Sequence, residues 1–97
     1  MEVRFAVLYH PKVVQDDIPA LSAELKKRIR GAIEEKLTVA PGKFGKPLRE
    51  SLRGYRKLRV GDYRIVFRIE HHDVFVLAIF HHSIVYKQST IRALRKK

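Results

Sequence analysis

The apolar positions of the chain change period along its length. Val3 to Tyr9, VRFAVLY, is a β-branched and aromatic run that predicts an opening strand. Pro11 suits the first turn of a short helix that Pro19 would end, so residues 11–18 are predicted helical. Ser22 is placed to cap a second helix, with Glu24 in the first turn, where an acid favours the helix dipole. Leu25, Ile29, Ile33 and Leu37 then recur every four residues with Ala32 beside them, the stripe of an amphipathic helix. APGKFGKP, residues 40–47, holds two glycines and two prolines and predicts a loop, with Leu48 and Leu52 pinning its far end to the core. From Tyr55 onward the period falls to two. Leu58 and Val60 point one way and Tyr55, Lys57 and Arg59 the other. Gly61-Asp62 supplies a turn, after which Tyr63, Ile65, Phe67 and Ile69 share the apolar face and Arg64, Val66, Arg68 and Glu70 the opposite one. EHHD (70–73) predicts a second turn, with His71 and His72 solvated. VFVLAIF (74–80) is apolar on both faces, as a central strand requires. The tail QSTIRALRKK has only Ile91 and Leu94 to bury and predicts a short helix or a frayed end.

The expected fold is therefore α+β, one domain over residues 1–97 in the order β-α-α-β-β-β. A four-stranded antiparallel (mixed) sheet would carry the two N-terminal helices on one face. Leu58, Val60 and the Tyr63/Ile65/Phe67/Ile69 row would pack beneath them. Lys57, Arg59, Arg64 and Arg68 would stand together on the uncovered face. A chain of this length buries roughly 60–70% of its unfolded surface, enough for a core without staples. There are no cysteines, which excludes disulfides and thiolate metal sites. The apolar run Phe5 to Tyr9 is too short for a signal sequence or a membrane span, so a cytoplasmic protein without a membrane partner is expected.

Charge sharpens this picture. The formal net charge is +11, and its position matters more than its size. Residues 1–42 hold seven basic groups against six acids, whereas residues 43–97 hold fourteen against four. Solubility needs no such segregation, and the excess predicts a polyanionic partner.

LRGYRKLRVGDYRIVFRI (52–69), the element order and a C-terminal strand ending in a His-containing turn and Tyr86 resemble the RelE/ParE toxins, small basic toxins of toxin–antitoxin pairs. The likeness spans residues 2 to 88, and R-x-G-D-Y-R, Arg59 to Arg64, is its most specific element. The resemblance implies a cognate antitoxin, acidic or partly disordered and RelB-like, in a toxin–antitoxin hetero-oligomer. RelE-type members cut messenger RNA in the ribosomal A site without metal, through attack of the RNA's own 2′-hydroxyl. ParE-type members share the fold but poison DNA gyrase and lack the cleavage residues. An inactive nucleic-acid-binding relative is a third reading, and fold alone does not choose among them.

Metal-free cleavage needs a proton acceptor for the 2′-hydroxyl, cations around the phosphorane and a proton donor for the leaving 5′-oxygen. Arg64 resembles the family's hairpin arginine that contacts the scissile phosphate, and its guanidinium presents several donors to phosphate oxygens. Lys57 looks like a functional lysine of RelE-type toxins, as base or as cation. Tyr55 falls where some members carry a second lysine. Many members read H-R-R-x-x-Y near the C-terminus, whereas this chain reads HHSIVY, His81 to Tyr86. His82 to Tyr86 is similar to the H-S-x-x-aromatic pattern of other superfamily ribonucleases. The resemblance thus implies His82 as general acid and Tyr86 stacking on or orienting a nucleotide. Lys43, Lys46, Arg49, Arg53, Tyr55, Arg59, Arg68 and His81 are the candidate RNA contacts, and the basic tail Arg92, Arg95, Lys96 and Lys97 is assigned to RNA or antitoxin. Adjacent histidines on a strand point to opposite faces and no carboxylate is spaced to complete a site, so neither metal nor cofactor is expected.

Overall fold

The structure, a computed structural model, describes residues 4–84 and Arg92. Ser22 starts the main helix as the sequence predicts: its backbone is extended (φ −67°, ψ 162°) and its side chain accepts the Leu25 N–H at 3.2 Å. Helix α1 (Ala23–Ala32) continues into a π-helical turn, Ile33–Leu37, so Ile29, Ile33 and Leu37 stay on one buried stripe. The predicted first helix is a π-helical turn, Val13–Asp17, closed by the Ile18 N–H on the Val13 carbonyl at 2.8 Å. No helix among the described residues is long and apolar enough to cross a membrane.

The sheet has five strands, not four: β1 (Ala6–Tyr9), β2 (Lys46–Pro47), β3 (Arg56–Val60), β4 (Tyr63–Glu70) and β5 (Asp73–His81), in the order β1-β5-β4-β3-β2. β1 lies parallel to β5 and the other pairs are antiparallel. The extra strand lies in the predicted loop. After a short helix α2 (Pro41–Phe44), Lys46 pairs with Lys57 and Pro47 with Arg56. Two residues, one of them a proline, leave no alternation to read, and proline is tolerated because β2 is an edge strand. Gly45 links α2 to β2 where the chain crosses Phe67. A Cβ there would overlap the Phe67 ring, 2.9 Å from Cε1 and 3.1 Å from the Arg56 Cβ. Gly45→Ala is therefore expected to cost about 1–3 kcal/mol through overpacking, read as a lowered urea midpoint with an unchanged m-value.

The helical face of the sheet carries the main core. Leu58, Val60, Ile65, Phe67, Val74, Val76 and Ile79 meet Ile29, Ile33 and Leu37 there. The reverse face is not open throughout, as the sequence reading expected. Residues 48–55 fold across it, and Leu52 and Tyr55 are buried against Val66, Leu77 and Ala78. Leu48 and Leu52 do pin the loop, but to this second cluster. Leu77 is an extra residue in β5, because the register moves from Val66↔Ala78 to Phe67↔Val76.

Beyond Val76, β5 has outrun β1, and side chains cap its edge. The Ile79 N–H donates to Asp17 Oδ2 at 2.9 Å, while Arg92 Nη1 donates to the Leu77 carbonyl at 3.1 Å. Arg92 also grips the Asp17 carboxylate through two bonds of 2.7 and 2.9 Å. Arg92, expected on RNA or antitoxin, is thus committed to this internal ion pair; Arg95, Lys96 and Lys97 lie outside the described residues.

His10 is buried near the same place, with its Nδ1 accepting the Lys12 N–H at 3.0 Å. Burial, and then the nearby Arg92 cation, hold its pKa below the ordinary value, against the opposing pull of Asp17. The unfolded chain therefore takes up this proton first as pH falls below about 6.5. The stability His10 contributes is complete above that pH and is lost on the way down through the lowered folded value. Denaturant melts of the protein and of His10→Asn between pH 7 and pH 5, about the titration range of histidine, are expected to show a shallower fall for the variant.

Candidate RNA-binding and catalytic site

The β3–β4 hairpin builds the site. Gly61 has φ +58° and Asp62 has a negative φ, the combination of a type II′ turn, whose twist matches the flanking strands. Since Leu58, Val60, Ile65 and Phe67 face the helices, Lys57, Arg59 and Arg64 project to the other side. The register then sets like charges opposite one another: Arg59 against Arg64, and Lys46 of β2 against Lys57. Directly opposed like charges destabilise a sheet, and β3 carries two such pairs side by side, one with each neighbouring strand.

They line one cavity. About 330 Å³ in volume, it lies along the outer edge of β3 and is bounded by Lys36, Phe44, Lys46, Lys57, Leu58, Arg59 and Arg64. Five of these residues are cationic and none is acidic. Arg64 Nη1 donates to the Gly61 and Tyr63 carbonyls at 3.2 and 2.9 Å, which fixes the guanidinium beside the turn. The His82 N–H donates to the next carbonyl of that turn, Asp62, at 2.7 Å. Arg64 and His82 are therefore anchored to consecutive carbonyls at one end of the hairpin. His82 is exposed, with its ring centroid 4.6 Å from that of His81. His81 is occupied locally, edge-on to Tyr63 at 5.4 Å and 2.8 Å from Ser83 Oγ through Nδ1.

Other predicted contacts fall elsewhere. Tyr55, expected at an RNA surface, is a core residue at 9% exposure. Arg68, expected beside Lys57 and Arg64, lies over the Tyr55 and Phe75 rings, 5.4 and 5.9 Å from their centroids, and pairs with Glu70 at 2.8 Å. Alternation assigns Arg68 to the correct face but not to its open part. Lys43, Arg49 and Arg53 are exposed and do not line the cavity. Tyr86 lies outside the described residues. Lys36 and Phe44 were missed: one sits on a helix and the other in a segment read as loop, and neither's place in the cavity follows from hairpin alternation. No group of three His, Asp or Glu side chains that could hold a metal ion occurs among the described residues.

The class to which this fold and basic hairpin belong, the toxins of type II toxin–antitoxin systems, is given by the family comparison. Residues 7–86 match the model of the ParE toxin family, the toxin of type II toxin–antitoxin systems, and the chain belongs to that family. Toxin RelG of Mycobacterium tuberculosis is 37% identical over 71 residues, covering 67% of this chain and 82% of RelG. Toxin RelE of the same organism is 41% identical over 54 residues, covering 54% of this chain and about half, 56%, of its own length. Among solved structures, the RelBE2 toxin–antitoxin complex of Mycobacterium tuberculosis contains a chain that matches with a TM-score of 0.75 and 28% identity, over 81% of this chain and 92% of that one. A free RelE mutant from Escherichia coli shares the fold at a TM-score of 0.64 and 14% identity, covering 96% of this chain and 97% of its own.

Proposed function

We propose that this toxin is a metal-independent endoribonuclease that cuts messenger RNA in the ribosomal A site and so inhibits translation. The observation that carries the reading is the cavity bounded by Lys46, Lys57, Arg59 and Arg64, in which two like-charged pairs face each other with no lining acid. A fold tolerates that repulsion where a polyanion relieves it, and a phosphorane with its flanking phosphates would do so. Arg64 binds the scissile phosphate, Lys57 stabilises its developing charge, and His82 protonates the leaving 5′-oxygen. The 2′-hydroxyl of the RNA is the nucleophile. It gives up its proton to solvent water and forms a bond to phosphorus as the 5′-oxygen departs with the proton from His82, leaving a 2′,3′-cyclic phosphate and a 5′-hydroxyl. The partner that silences the toxin is a cognate antitoxin whose acidic segment covers the cations, in keeping with the toxin–antitoxin complexes formed by its structural relatives.

Adding the protein to translation of a defined message, with 5′ ends mapped against ribosome position, tests this directly. In-frame cuts within the A-site codon are the expected result. The matching family model is named for ParE, which favours gyrase inhibition as the second reading. An intact message together with gyrase-dependent DNA damage in cells would replace the first reading with the second.

A further inference from the structure

Phe44 is 41% exposed at the end of α2, on the wall of a cavity that otherwise holds five cations. A phenyl ring left this open loses hydrophobic free energy unless something covers it. The backbone that carries the ring is held in place on its C-terminal side. Gly45, next in the chain, is wedged against Phe67, and Arg56 Nη1 donates to the Gly45 carbonyl at 3.0 Å. Lys36 brings its ammonium to 5.6 Å from the ring centroid, so the ring already has a cation beside it. Aromatic faces set among cations are how proteins hold single-stranded nucleic acid, the cations taking phosphates and the ring stacking on a base. The cavity volume, about 330 Å³, is within the range of small-ligand sites.

We propose that Phe44, flanked by Lys36, is a nucleobase-stacking subsite for the nucleotide next to the phosphate held by Lys57 and Arg64. This rests on the RNA reading above and extends it, because it places a base on the helical side of the β3 edge. It also makes Phe44 a positioning residue that unstacks the strand at the cut, separate from the polar groups that meet the phosphate.

Equilibrium binding of a 2′-deoxy octanucleotide, which has no 2′-hydroxyl and cannot be cut, tests the subsite at low salt. Phe44→Leu is expected to weaken binding about tenfold, within the range for loss of one stacked base. It should leave the slope of log K against log salt unchanged, and Phe44→Tyr should bind like the wild type. An abasic site at one position of the oligonucleotide should weaken the wild type and erase the difference between wild type and Phe44→Leu. Lys57→Gln, in contrast, should reduce the salt slope by about 0.7. Phe44 is on the surface, so equal melting temperatures for the variants guard against misfolding. Wild-type affinity in Phe44→Leu, an equal loss at every abasic position, or a loss seen only in binding to a neutralising protein would overturn the subsite while leaving the RNA reading in place. If Lys57→Gln also bound with unchanged affinity and slope, both would fall.

Discussion

Lys57→Gln is expected to slow RNA cleavage by about 10²–10³-fold and to raise the melting temperature by about 2–4 °C in the same protein. The two effects share one cause. Lys57 stands directly opposite Lys46 across β2 and β3, and the next residue on its face, Arg59, stands opposite Arg64. In the free protein each added positive charge raises the cost of the others, and removing one relieves about 0.5 kcal/mol. In the transition state of the proposed cleavage the balance reverses. Negative charge spreads over the phosphorane oxygens, and a cation held in place beforehand costs nothing to reorganise at that moment. Lys57→Arg keeps the charge and is expected to retain most of the activity, with no gain in stability. Thermal melts and single-turnover cleavage on the three proteins check both halves. A Lys57→Gln variant that loses stability as well as activity would show the lysine to be structural.

Arg64→Gln separates less cleanly, because Arg64 also donates to the Gly61 and Tyr63 carbonyls of the turn. Losing those bonds offsets the relief of its repulsion with Arg59. Lys57 is therefore the better probe of the conflict between folding and function in this hairpin.

How far the sequence reveals this arrangement depends on the range of the interactions. The period-two runs of β3, β4 and β5, the Gly61-Asp62 turn and the Ser22 cap are local, and they are legible because neighbouring residues dictate them. The parallel pairing of β1 with β5 and the Asp17–Arg92 pair are not, since their partners lie far apart along the chain and nothing near either one signals the other. β2 escapes notice because Lys46 and Pro47 adopt strand geometry only by docking on Lys57 and Arg56. The candidate site divides along the same line. Alternation brings Lys57, Arg59 and Arg64 to one face, whereas Lys36 and Phe44 join them only through the docking of α2 and β2. Tyr55 and Arg68 show the converse limit: alternation gives the face a side chain takes but not what lies across it, and here Leu52 and Tyr55 cover that part of the sheet.

His82→Ala is expected to slow cleavage by about 10²–10⁴-fold, and the nature of the leaving group will show why. The His82 backbone is tied to the Asp62 carbonyl, one residue along the turn from the Gly61 carbonyl that holds Arg64. His82 does not line the cavity, so the proposed proton transfer requires its imidazole to reach the end of it where the 5′-oxygen would depart. An alkoxide leaves poorly without a proton, but a thiolate leaves readily with none. An RNA whose scissile 5′-oxygen is replaced by sulfur should therefore be cut by His82→Ala at close to the wild-type rate, while Lys57→Gln stays slow on both substrates because phosphorane charge develops in each. His81→Ala serves as the control. That ring is held by Tyr63 and Ser83, so its loss should change the rate on either substrate by less than about tenfold, the effect of a local packing change and not of a lost acid. Equal deficits for His82→Ala on the oxygen and sulfur substrates would remove His82 from proton transfer and leave it a binding residue.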